Sequence, residues 1–205
     1  SANDPTIALR RTARYLRVRL RRQRVRTLGP DFSHRRNLLA QIIQSRQVQA
    51  VIEQSSSAKE RRTLERLANK HARTIASDMS HPTVRVLSRL LTWFWNRIYE
   101  RVEIEGLDRI DELALTHPLV YAPSHRSHLD YLLLSYLLYY KNFMIPHIAA
   151  GDNLNLPVLG GILRRGGAFF MRRTFRDDPL YAAIFEEYLY QVYRRGHSVE
   201  FFPEG

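Results

Sequence analysis

The segment Pro123-Ser124-His125-Arg126-Ser127-His128-Leu129-Asp130 gathers groups that can move a proton: two imidazoles, two hydroxyls and a carboxylate within eight residues. Five positions along a continuous helix amount to about 140° of rotation, so His125 and Asp130 share no helix face. His125 must therefore precede the helix, with Ser127 as N-cap and Asp130 at the third helical position, where its carboxylate can reach back into the loop. In such a pair the carboxylate fixes the imidazole tautomer and supports the imidazolium while His125 takes a proton from a hydroxyl. Two blander readings stand beside it. Ser127 and Asp130 alone form a capping box, and His125, His128 and Asp130 are metal-ligand types, although no second ligand cluster with matching spacing accompanies them.

Two later segments add other chemistry. Gly166-Gly167-Ala168-Phe169-Phe170-Met171-Arg172-Arg173 places glycines where the backbone must pass close to something, then an apolar strand, then two guanidinium groups suited to a phosphate. The Arg-Arg pair occurs seven times in the chain, so here its context carries the signal. Phe201-Phe202-Pro203-Glu204-Gly205 sets a carboxylate and a glycine just past a hydrophobic run, which is also the make-up of an ordinary turn.

The elements that must position these groups follow from periodicity. Residues 5–100 read as three or four helices: Leu38, Leu39, Ile42 and Ile43 form one stripe, Ser57 and Glu60 open a second helix, and Val84, Leu87, Leu91, Phe94 and Ile98 form a third stripe. Leu16 to Arg21 fits either a strand or a helix face, and its surroundings favour helix. From about residue 101, short apolar runs alternate with helical segments, the signature of an α/β layer. Strands are expected at Val102 to Ile104, Leu119 to Ala122, Pro146 to Ala149 and Val199 to Phe202, with Ala168 to Met171 as a fifth. Helices are expected at 128–141 and at 177–194, the latter opened by Asp177, Asp178 and Pro179. This divides the chain into a basic helical domain, 1–100, and an α/β domain, 101–205. The first reactive segment then sits where a strand meets a helix, which is where open α/β sheets place reactive groups.

Composition narrows the classes of function. The 205 residues contain no cysteine, which excludes a disulfide scaffold, a thiolate metal site and a Cys nucleophile. The longest apolar run, Leu129 to Tyr140, is too short to span a bilayer and contains Asp130 and Ser135. The cytoplasm is the default compartment, and the native protein is expected to extend beyond both ends of the chain. The first 100 residues hold 21 Lys and Arg against 7 Asp and Glu, whereas the remaining 105 hold 11 against 13. The net charge of +12 thus belongs to the first half, with nine Arg in the first 26 residues. Only Tyr15 is aromatic in that stretch and no duplex-reading motif accompanies it, so a nucleic-acid interface is disfavoured against an anionic lipid surface or an acidic carrier protein. Trp93, Trp95 and Tyr99, mixed with Arg85, Arg89 and Arg97 on one helix, suit the headgroup boundary of a membrane, or else the packing face of an amphipathic helix.

In this order the three reactive segments resemble the glycerophospholipid acyltransferase family, whose first block is His, four residues, then Asp. The longer stretches His125 to Tyr136, Pro146 to Gly151 and Gly167 to Phe175 are similar to its bacterial, membrane-associated branch that acylates glycerol 3-phosphate. The resemblance implies that His125 is the general base and Asp130 its partner. It further implies that Gly167, Phe170 and Arg173 form a second block contributing to acceptor binding, and that Glu204 and Gly205 open a third. His128 falls at a variable position. The implied fold is a helical region followed by the first part of an acyltransferase α/β domain, with a central mixed sheet flanked by helices. The implied reaction moves a fatty acyl group from acyl carrier protein or coenzyme A to the 1-hydroxyl of glycerol 3-phosphate, with no cofactor or metal, at the cytoplasmic face of the inner membrane. An acceptor such as 1-acyl-glycerol 3-phosphate or dihydroxyacetone phosphate fits the same blocks. Family segments expected after Gly205 are not part of this chain, so it is not expected to act alone.

Overall fold

The computed structural model describes residues 35–100, 117–124, 127, 129–175 and 177–203, with short stretches between 14 and 29 and between 103 and 114. Leu16 to Arg21 and, apart from Glu103, the expected strand at Val102 to Ile104 lie outside the described residues.

Helices lead up to the sheet, four of them with bounds among the described residues. Helices α1 (Arg35–Ile43) and α2 (Arg46–Glu53) are separated at Ser45, whose hydroxyl caps α2 by accepting the Val48 N–H. Helix α3 (Ala58–Ile75) begins where Ser57 and Glu60 predict. The Ser57 hydroxyl accepts the Glu60 N–H at 3.2 Å, and the Glu60 carboxylate returns to the Ser56 N–H at 2.7 Å, one residue outside the usual box. Helix α4 (His81–Ile98) carries Pro82 in its first turn, where a missing N–H costs nothing. Its buried face runs through Val84, Ser88 and Trp95, whereas Ile98, expected in the stripe, is exposed.

Beyond residue 117 come β1 (Val120–Tyr121), α5 (Asp130–Tyr140), β2 (His147–Gly151), a 3-10 turn at Asp152–Leu154, α6 (Leu159–Gly166), β3 (Ala168–Met171), α7 (Pro179–Arg194) and β4 (Val199–Glu200). The strand order is β1-β4-β2-β3, and every pairing among the described strands is parallel. The expectation of a mixed sheet is corrected in this respect: each described connection carries a helix back across the sheet, which returns the next strand in the same direction.

One core joins the two halves of the chain. Leu38, Ile42, Val48, Ile52, Ala72 and Ile75 from α1, α2 and α3 pack against Phe169, Ile184, Tyr188 and Val192 from β3 and α7. Each fully buried Leu, Ile or Val contributes about 1.5–3 kcal/mol, so this contact fixes α7 against the helical half. The carbonyls left at the end of α3 are closed by two guanidinium groups: Arg35 donates to the carbonyls of Arg73, Ala76 and Ser77, and Arg164 to those of Thr74 and Ala76. Beneath them His147 is buried, its Nδ1 2.7 Å from the Ser77 hydroxyl and 3.2 Å from the Tyr188 hydroxyl. Burial, and secondarily His197, push its pKa down to about 3, so this imidazole is neutral and structural.

Candidate active site

A parallel sheet sends all its strands out at one edge, and the reactive segments are gathered there by topology rather than by sequence proximity. Strand β1 leads into the segment that holds His125, β3 leads into Arg172 and Arg173, and β4, lying between β1 and β2, leads toward Glu204. His125, Glu204 and Gly205 themselves lie outside the described residues.

Asp130 is the first residue of α5, and its carboxylate turns back into the preceding loop, with Oδ2 accepting the Ser127 N–H at 2.6 Å. Regular helix begins later than expected, since Leu129 precedes it in a helical conformation and the Ser127 hydroxyl accepts the Leu129 N–H rather than that of Asp130. Half of the expected capping box therefore survives, and it is the half that aims the carboxylate at the loop following β1.

The second block divides. Arg173 is exposed and borders a cleft, with no hydrogen-bond or ion-pair partner among the described residues. Arg172 is committed to the protein: its Nη1 lies 3.0 Å from Asp178 Oδ2 and its guanidinium stacks 4.5 Å from the centre of the Tyr181 ring. Phe170 is fully buried, its ring 4.7 Å below the Arg164 guanidinium, and does not reach the cleft. Gly167 stands at the opposite end of β3 from Arg173, with φ +120°, and a Cβ there would lie 2.7 Å from Met79 Cε and 3.2 Å from the Pro146 carbonyl. The close approach inferred from this glycine is thus real, but the neighbour is protein. Of the second block only Arg173 reaches the edge that Asp130 occupies.

The cleft was not foreseen from the sequence. It encloses about 900 Å³, near the upper end of the roughly 300–1,000 Å³ typical of ligand pockets. Leu87 and Leu91 of α4, Leu132 and Tyr136 of α5 and Ile148 of β2 form apolar walls, with Arg173 on the rim. A signal for it lay in α5, whose residues Leu132 to Leu134, Leu137 and Leu138 spread apolar side chains over about two thirds of the circumference, as befits a helix covered on more than one side. A groove of this character accepts an extended hydrocarbon chain while the cationic rim holds an anionic group. The described residues include no group of three or more His, Cys, Asp or Glu able to hold a metal ion.

Residues 101–205 match the Acyltransferase family model. The chain is 49% identical over 199 residues to the glycerol-3-phosphate acyltransferase of Pseudomonas aeruginosa (strain PAO1), covering 96% of this chain and 24% of that protein. It is 46% identical over 200 residues to the protein of that name from Ectopseudomonas mendocina, and 46% identical over 203 residues to that of Pseudomonas syringae pv. syringae. The chain thus spans about a quarter of the length of the curated relatives it matches. The family match, spread over the sheet and its carboxyl edge, establishes that this chain belongs to the acyltransferase family.

Proposed function

We propose that the protein containing this chain transfers a fatty acyl group from an acyl carrier protein or coenzyme A thioester to the 1-hydroxyl of glycerol 3-phosphate. The observation that carries this reading is the identity of nearly half, along 96% of the chain, to proteins named for that acceptor. Support also comes from the Arg173 guanidinium, which has no partner among the described residues and lies on the rim of an apolar cleft. His125 takes the proton of the 1-hydroxyl, supported by Asp130, and the oxygen attacks the thioester carbonyl. The tetrahedral adduct collapses with cleavage of the carbon–sulfur bond, and the thiolate leaves with the proton held on His125. Arg173 neutralises the acceptor phosphate, and Glu204 and Gly205 help to seat the acceptor, so that much of the rate comes from positioning. The acyl chain occupies the cleft between α4, α5 and the sheet. No cofactor takes part, and the chain has no cysteine to form a thioester of its own.

The protein works at the cytoplasmic face of the inner membrane, held peripherally, as the first enzyme of phospholipid synthesis. Among the described residues no helix is long and apolar enough to cross a membrane. Contact with anionic lipid is made by Trp93, which is 71% exposed on α4, and by the arginines of residues 10–26. Trp95 is 2% exposed, packed between Phe94 and Tyr99, and is not part of that contact. Steady-state kinetics of the full-length protein with palmitoyl-coenzyme A and glycerol 3-phosphate test the mechanism. Direct transfer gives a sequential pattern, and a ping-pong pattern with isolable acyl-protein would overturn it.

A further inference from the structure

Glu200 is the central residue of the central part of the sheet, and nothing in the reaction described above uses it. It lies on β4, aligned with Tyr121 on β1 and Ile148 on β2, and is 0% exposed. Neither carboxyl oxygen has a hydrogen-bond partner among the described residues. Alternation along the strand places Glu200 on the same face as Phe202, the face that α5 meets where the Tyr131 ring approaches Phe202 edge-on at 6.4 Å. Four residues along the returning helix and two residues back along the strand both advance about 6 Å. The contact between Tyr131 and Phe202 therefore brings Ser135 to the level of Glu200, and the Ser135 hydroxyl is likewise buried without a partner among the described residues.

Among the described residues the surroundings offer an ionised carboxylate no hydrogen-bond donor and no cation. On the elements packed against it, the titratable side chains are Tyr121 on β1 and Asp130, Tyr131, Tyr136, Tyr139 and Tyr140 on α5, with Lys141 beyond the far end of that helix. His147 of β2 points to the opposite face, toward Ser77 and Tyr188. Burial pushes the Glu200 carboxyl up to about 8, and burial together with Glu200 holds the Tyr121 phenol up at about 12. A polar group kept in such a place against its desolvation cost calls for a functional account.

We propose that Glu200 is a positioning residue for the acyl transfer: as an uncharged acid it seals the contact between β4 and α5, and so keeps Asp130 seated at the carboxyl edge. Its ionisation draws water between sheet and helix and displaces the first turn of α5. The inference rests on the acyltransferase reading for its kinetic consequence but not for its structural one. The test compares full-length protein with Glu200→Gln and Glu200→Leu between about pH 6 and pH 9, reading both thermal unfolding and kcat for transfer from palmitoyl-coenzyme A to glycerol 3-phosphate. In the native protein stability should fall as pH rises from about 4.5 toward 8 and level off above it, whereas kcat should fall as pH rises through about 8. Glu200→Gln, which keeps the shape and cannot ionise, should hold kcat within about threefold of its neutral value across that range and flatten the stability curve. Glu200→Leu should lower kcat at every pH without changing the KM for glycerol 3-phosphate. A Glu200→Gln protein that keeps the fall in stability, or whose kcat is as low as that of Glu200→Leu, overturns the proposal. If the native protein acylates a different acceptor, the acceptor assignment fails while the stability comparison still decides the role of Glu200.

Discussion

Arg172 and Arg173 are neighbours in sequence with opposite commitments: the first is bound to Asp178 at 3.0 Å and stacked on Tyr181, and the second meets no partner among the described residues on the rim of the cleft. Arg173→Lys should therefore raise the KM for glycerol 3-phosphate at least tenfold and leave that for the acyl donor nearly unchanged, because a point charge cannot copy a forked contact to phosphate. Arg172→Lys should act on stability by at most about 1 kcal/mol, since its ion pair is partly exposed, and leave both KM values in place. Steady-state kinetics and thermal unfolding of the two variants check this, and equal effects of Arg173→Lys on both substrates would remove it from the acceptor site.

Replacing His125 with Ala should lower kcat by roughly 10³-fold while glycerol 3-phosphate still binds, the range of about 10² to 10⁴ being that of a positioned base. His128→Ala should be mild. The opposite ranking in acyl-transfer assays would assign the base to His128.

The buried His147 gives stability a definite acid dependence. Its folded pKa of about 3 lies below the ordinary histidine value of 6.5, so the unfolded chain binds the extra proton first as pH falls. The contribution of this residue is fully present above about pH 6.5 and is lost progressively between there and pH 3. Denaturant unfolding from pH 7 down to pH 4 should show this loss in the native protein and a shallower one in His147→Gln. Parallel curves would mean that other groups govern the acid limb.

Full-length protein should sediment with vesicles of anionic lipid and be released in part by high salt, because screening weakens the arginine contribution and leaves apolar contact untouched. Gln at Arg17, Arg21 and Arg24 should remove the salt-sensitive part. Trp93→Ala should weaken binding without loss of stability, whereas Trp95→Ala should cost about 3–5 kcal/mol of stability, the usual price of emptying a buried aromatic site. Unchanged sedimentation of the triple arginine variant would assign its charge to an acidic protein partner instead.

Much of this arrangement was legible in the sequence because local rules decided it. Ser57 with Glu60, and Asp178 with Pro179, fix helix starts through backbone N–H groups only a few residues away, and the structure begins α3 and α7 there. Four of the five short apolar runs became strands at the expected places, the run at Val102 to Ile104 lying outside the described residues apart from Glu103, because flanking Pro, Gly and Asp leave no room for helix. What the sequence left hidden depends on distant partners. Gly167 announced a close approach but not that Met79 was the neighbour, and two adjacent arginines look alike until Asp178 and Tyr181 are folded against one of them. The tryptophans of α4 read as a pair at the headgroup boundary, yet a two-residue step on a helix turns them about 200° apart, one outward and one into the protein. The cleft and Glu200 arise from the strand order β1-β4-β2-β3, which no local pattern encodes.

The central claim concerns the acceptor, and the most direct measurement is acyl transfer by the full-length protein from palmitoyl-coenzyme A to a panel of glycerol 3-phosphate, dihydroxyacetone phosphate and 1-acyl-glycerol 3-phosphate, with the position of the new ester determined in each product. The account predicts that kcat/KM is highest for glycerol 3-phosphate and that the product carries its acyl group on the 1-hydroxyl. Preference for either of the other acceptors, or acylation at the 2-hydroxyl, would contradict it.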